Sequence, residues 1–108
     1  GGKLTVEQIQ TALASSGIPC AYRYFPQGED VQTPFMVWYM DGENYVYADN
    51  KNYLGVKDIT IELYTTTKNA HTEAAVEEAV AKVGAFSKVE TYIDSDDCYL
   101  IRYETEVI

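Results

Sequence analysis

The residues that could do chemistry in this chain are few, and their spacing keeps them apart. His71 is its only histidine. A general base needs a nucleophile or an orienting carboxylate within reach, and a metal ligand needs companions. The polar stretch around His71 supplies neither, so the residue reads as the solvated start of a helix. Asp94-Ser-Asp-Asp97, with Glu90 close by, gathers enough oxygen atoms to raise the question of calcium. An EF-hand loop is longer and carries a central glycine and a distal bidentate glutamate, both missing here. Acidic side chains also close hairpin turns by accepting bonds from their own backbone, and the turn is the favoured reading. Cys20 and Cys98 lie far apart in no C-x-x-C arrangement, so the redox and metal signatures are absent. A bridge between them is open in principle; two buried, reduced thiols in a cytoplasmic protein are the favoured expectation. No phosphate-binding loop, dinucleotide fingerprint, nucleophile elbow or zinc-protease pattern occurs. Glu29-Asp30 and Glu77-Glu78 are neighbours along the chain, not carboxylates opposed across a cleft. The expectation is a protein without catalytic activity, cofactor or metal.

The elements that would position these residues are clearer than the chemistry. Thr5 and Gln8 form a capping box, Leu4 and Ile9 are spaced as a hydrophobic staple, and Val6, Ile9, Ala12 and Leu13 recur at helical spacing. Gly17 and Pro19 stop that helix. The period then changes. Ala21 to Phe25 reads as a strand, and the segment from Pro26 to Asp30 as a loop. Phe35-Met-Val-Trp-Tyr-Met40 is apolar on both faces, as in a central strand covered twice or one whose second face awaits a partner. Asp41-Gly42 and Tyr45-Val-Tyr47 then suggest a hairpin over residues 35–49. Ile59, Ile61 and Leu63 alternate with Thr60, Glu62 and Tyr64, which sets the strand register firmly.

A second helix is capped by Asn69 or Thr72, with Ala75, Val76, Ala79, Val80 and Val83 as its stripe and Gly84 at its end. Glu73 and Glu77 favour its N-terminal half, and Glu78 stands four residues before Lys82. Val89, Thr91 and Ile93 alternate with Lys88, Glu90 and Tyr92. After the turn, Tyr99, Ile101 and Tyr103 share a face. These patterns predict an α+β fold in the order α-β-β-β-α-β-β, an antiparallel or mixed sheet of about five strands with two helices on one face.

With 108 residues the chain fits one domain, 1–108, large enough for a real core. Its net charge of −9 disfavours phosphate backbones and anionic membranes, so neither nucleic acid nor membrane is expected as a partner. No apolar run approaches membrane-spanning length, and no signal-peptide pattern opens the sequence. Tyrosine is the one unusual feature, with ten copies. Tyr22 and Tyr24 share one strand face, as do Tyr45 and Tyr47. Tyrosine is enriched at protein interfaces, but aromatic residues also simply suit strands, and both readings stand.

The phrases Thr33-Pro-Phe-Met-Val-Trp-Tyr39, Tyr47-Ala-Asp-Asn50, Ile59-Thr-Ile-Glu-Leu-Tyr-Thr65, Val89-Glu-Thr-Tyr-Ile-Asp-Ser95 and Tyr99-Leu-Ile-Arg-Tyr-Glu104 resemble those of small neck proteins of long-tailed bacteriophages of Gram-positive hosts. Such proteins are tail terminators, tail-completion proteins or minor capsid proteins that join head to tail. The resemblance implies a small α+β subunit without cofactor or catalysis. It implies assembly into a ring, hexameric for terminators, against tail-tube and head-connector proteins. The protein would then reside in the virion, and in the host cytoplasm during assembly. Heterologous ring contacts need two different patches per subunit. Tyr45, Tyr47, Tyr53 and Trp38, with the loops around Gly28–Pro34 and Gly42–Asn52, are the candidate interface, and Glu29 and Asp30 are candidates for an acidic lumen. Two other classes remain open: a stand-alone acidic protein-binding module of inhibitor type, and an enzyme whose site forms only between subunits.

Overall fold

Thr5 accepts a hydrogen bond from the Gln8 backbone N–H at 3.1 Å, and Gln8 Oε1 accepts one from the Thr5 N–H at 2.9 Å, closing the capping box that starts α1 (Val6–Ala14). The computed structural model describes residues 5–25, 31–41, 57–94 and 97–107, with the backbone alone at 41, 57 and 107. Leu4 of the expected staple, the Tyr45–Tyr47 run, and Tyr53, Glu29 and Asp30 lie outside these residues. After α1 come β1 (Cys20–Tyr22), β2 (Phe35–Asp41), β3 (Lys57–Thr65), α2 (Ala70–Ala81), β4 (Phe86–Ile93) and β5 (Cys98–Val107). The expected α+β order is the one observed.

The five strands form one mixed sheet, β1-β2-β3-β5-β4. β1 runs parallel to β2, and every other neighbouring pair is antiparallel. β3 and β5 are the centre, with Ile61 opposite Tyr103 and Leu63 opposite Ile101. Both helices cover one face. Ile9 and Leu13 of α1 and Val76 and Val80 of α2 meet Met36, Trp38, Ile59, Ile61, Leu63, Ile101 and Tyr103 in a single core. Burying each such side chain stabilises the fold by roughly 1.5–3 kcal/mol. The strict alternation of β3 works as its sequence implied, because a one-residue slip would turn all three aliphatics out of this core.

Trp38 departs from its expected interface role. It is fully buried within the subunit's own core. Its ring packs against Tyr22 at 4.6 Å, and its indole N–H donates to Gln10 Oε1 at 2.7 Å. Gln10 also donates through Nε2 to the Cys20 carbonyl at 2.8 Å, so one side chain ties α1 to both β1 and β2. An even position on β2 faces the helices, which is why the Trp is consumed by the core and its odd neighbours are not. The first strand is also shorter than the Ala21–Phe25 run. Arg23 takes φ +75°, which breaks the alternation after Tyr22 and leaves Tyr24 exposed, no longer sharing a strand face with Tyr22.

Candidate interaction face

The odd positions of β2 and the even positions of β3 and β5 point away from the helices: Phe35, Val37 and Tyr39; Thr60, Glu62 and Tyr64; Leu100, Arg102 and Glu104. No described helix or strand lies over this second face. Register places the rest of it. Val89 is opposite Arg102, Thr91 opposite Leu100 and Ile93 opposite Cys98, so these β4 side chains join the uncovered face. Val89 is 57% exposed.

That orientation is the unexpected feature of the fold. On a one-sided sheet the apolar side of a strand normally faces the helices. Beyond Phe86, which packs against the core beside Tyr103, the assignment in β4 is inverted: Lys88, Glu90 and Tyr92 take the helix side, and Val89, Thr91 and Ile93 the other. The helix side accepts the charges because α2 and the segment before it meet them with charges. Lys88 Nζ lies 2.6 Å from Glu77 Oε2 and 3.0 Å from Glu73 Oε1. Lys68 Nζ lies 2.7 Å from both Glu73 Oε2 and Glu90 Oε1. Tyr103 donates to Glu77 at 2.9 Å. Burial of Glu73 opposes its charged form, yet the bonds from Lys68 and Lys88 outweigh it and hold the carboxyl below its ordinary range. Both lysines are pushed up by the carboxylates that accept their bonds: Glu73 foremost and Glu90 for Lys68, Glu77 foremost and Glu73 for Lys88. Sequence reasoning assigned Glu73 and Glu77 to the helix dipole and missed this network, whose partners come from separate elements.

The uncovered face has its own polar centre. Tyr39 and Tyr64 donate their hydroxyls to the two oxygens of Glu62, at 3.1 and 3.0 Å, and Arg102 stands 3.8 Å from the same carboxylate. Burial foremost, with the adjacent Glu62 charge, pushes the Tyr64 hydroxyl up to about 12. Toward one end Tyr64 stacks on Phe35 at 5.1 Å, and Phe35 meets Phe25 edge-on at 5.6 Å. The result is an aromatic and aliphatic surface with its one central carboxylate already held by three groups. It is suited to protein contact, where tyrosine offers a ring to bury and a hydroxyl to satisfy.

The residues considered for chemistry stay dispersed. His71 is exposed in the first turn of α2, where its backbone N–H donates to the capping Asn69 side chain at 2.9 Å. Asp97, at φ +51°, donates its N–H to the Asp94 carbonyl at 3.2 Å, as a turn requires. Among the described residues no group of three or more His, Cys, Asp or Glu is arranged to hold a metal. Cys20 and Cys98 form no disulfide: they lie on opposite faces, in strands separated by β2 and β3. Burial pushes the Cys20 thiol up to about 12, far from the thiolate that a nucleophile requires. In comparisons with protein-family models, curated proteins and solved structures, none matches this chain.

Proposed function

We propose that this chain is a non-catalytic assembly subunit of the head–tail connector of a long-tailed bacteriophage or prophage, capping the tail tube or joining it to the head as part of a ring. The observation that carries the assembly role is the sheet face over which no described helix or strand lies, to which β4 turns its aliphatic side while its charged side meets the helices. Monomeric proteins rarely leave contiguous apolar surface uncovered without a partner for it. The phage context rests on the sequence resemblance, whose phrases include Phe35–Tyr39, Ile59–Thr65 and Tyr99–Glu104. Those same segments supply much of the uncovered face, so the resemblance and the surface coincide in the chain. In this reading the face meets a neighbouring subunit or the tube, and Tyr45, Tyr47 and Tyr53 remain candidates for further contacts. Its negative charge keeps the subunit from adhering to DNA that passes through the ring.

Ring formation on purified tail tubes, seen by electron microscopy, tests the proposal, together with the identity of the flanking genes. Val37→Lys and Leu100→Lys should abolish loading onto tubes while leaving the far-ultraviolet spectrum intact. Wild-type protein that ignores tubes and lies among genes unrelated to virion structure would remove the proposal. A tight one-to-one complex with another protein would instead favour the acidic binding module.

A further inference from the structure

β4 is the outer strand of the sheet, eight residues long, and Ser87 to Tyr92 are exposed one after another. An open edge of this kind presents unpaired backbone donors and acceptors to any second strand. Natural edges are commonly guarded by a lysine that projects across them. Lys88 does not project: its Nζ is engaged by Glu73 and Glu77 of its own helix. The edge is therefore long and exposed, and among the described residues nothing guards it.

The order of residues along the edge selects its partner. Two antiparallel copies related by a two-fold axis normal to the sheet must pair residues of equal parity, because only then do both helix layers lie on one side. Centring that axis on Lys88 or on Glu90 sets like charges directly opposite, which is unfavourable. Centring it on Val89 pairs Lys88 with Glu90 of the second copy and Glu90 with its Lys88. The same register sets Ser87 against Thr91 and Phe86 against Tyr92, with Val89 meeting itself. Lys88 and Glu90 keep their partners within the chain, so facing charges of opposite sign chiefly spare this register the repulsion of the others. Aromatic pairs across strands stabilise the ladder. The stretch from Phe86 to Tyr92 is electrically neutral, although the whole chain carries −9, so the surface that meets its copy is spared that repulsion.

The geometry points to a two-fold homodimer through β4, centred on Val89, that joins two five-stranded sheets into one of ten strands. The uncovered faces of the two copies then lie side by side on one surface. This inference does not rest on the connector reading, since it uses the edge of the sheet and not its face.

Cysteine cross-linking reads the register directly. Cα atoms of opposed residues in an antiparallel pair lie about 4.5–5.5 Å apart, within reach of a disulfide. Val89 is exposed, so Val89→Cys leaves the core untouched. Under mild oxidation Val89→Cys should form a covalent dimer at a yield roughly tenfold above that of Thr91→Cys alone, whose copies sit out of reach of each other. Ser87→Cys mixed with Thr91→Cys should link as a heterodimer, and wild type under the same oxidant sets the background from Cys20 and Cys98. Sedimentation equilibrium of wild-type protein should show a reversible dimer. A monomer at every loading concentration would overturn the inference. So would cross-linking of Thr91→Cys equal to that of Val89→Cys, or a dimer that Val89→Cys fails to trap.

Discussion

Glu62 shows how a largely buried side chain on the outer face can be satisfied before any partner arrives. Its two oxygens accept from Tyr39 and Tyr64, so the phenols are fixed before any contact forms. The Tyr64 proton is held more tightly in the folded chain than in the unfolded one, about 12 against 10. Its stabilising contribution is therefore complete below pH 10 and lost as pH rises through about 12. Replacing Glu62 by Gln removes the neighbouring charge but not the burial, so the Tyr64 midpoint should fall yet stay above 10, read by tyrosinate absorbance. Gln10 gives a second prediction at this scale. Gln10→Ala strands the buried Trp38 N–H and the Cys20 carbonyl, and should cost about 1–3 kcal/mol in urea denaturation with an unchanged m-value. Neither pairing could be read from the sequence. Gln10 and Trp38 are 28 positions apart, and only the packing of α1 on β2 brings them together.

At the scale of elements, local signals were legible and handedness of burial was not. The Thr5–Gln8 box, the Asn69 cap and the alternation of β3 all announce themselves within a few residues. Gly84 was legible as a stop for α2, but for a different reason from the usual left-handed one. An added Cβ there would sit 2.8 Å from Thr105 Oγ1 and 2.9 Å from the Glu106 carbonyl, so the glycine lets β5 pass close to the helix end. Gly84→Ala should destabilise by about 1–3 kcal/mol, measured by thermal or urea unfolding, through forced displacement of β5. The inversion of β4 was hidden because alternation states only that two faces differ. Which face turns inward depended on Glu73, Glu77 and Lys68, which lie in α2 and the segment before it and reach β4 only once the helix has packed on the sheet. Trp38 shows the same limit: a strand apolar on both sides does not say which residues the helices will take.

For the whole molecule, fold class followed from the order of periodicities, whereas the interaction surfaces followed from topology. Among the described residues, the face without a helix and the outer edge of β4 emerge only once β4 is known to lie outermost and β5 inside it. The two surfaces are orthogonal in use: a face contact leaves the edge free, and an edge contact doubles the face. Variants at Val37 or Leu100 should act on tube loading and leave the solution dimer unchanged, whereas a variant at Val89, which belongs to both the face and the edge, should affect both.

The interior position of β5 also governs when the sheet can form. β3 has β2 on one side from early in synthesis, but its other edge waits for residues 98–107, and β4 has no place in the sheet without them. A nascent chain released as far as α2 leaves the β5-side edge of β3 bare. The sheet therefore closes only after the last described strand has cleared the ribosome, and until then the growing chain carries an unpaired strand edge.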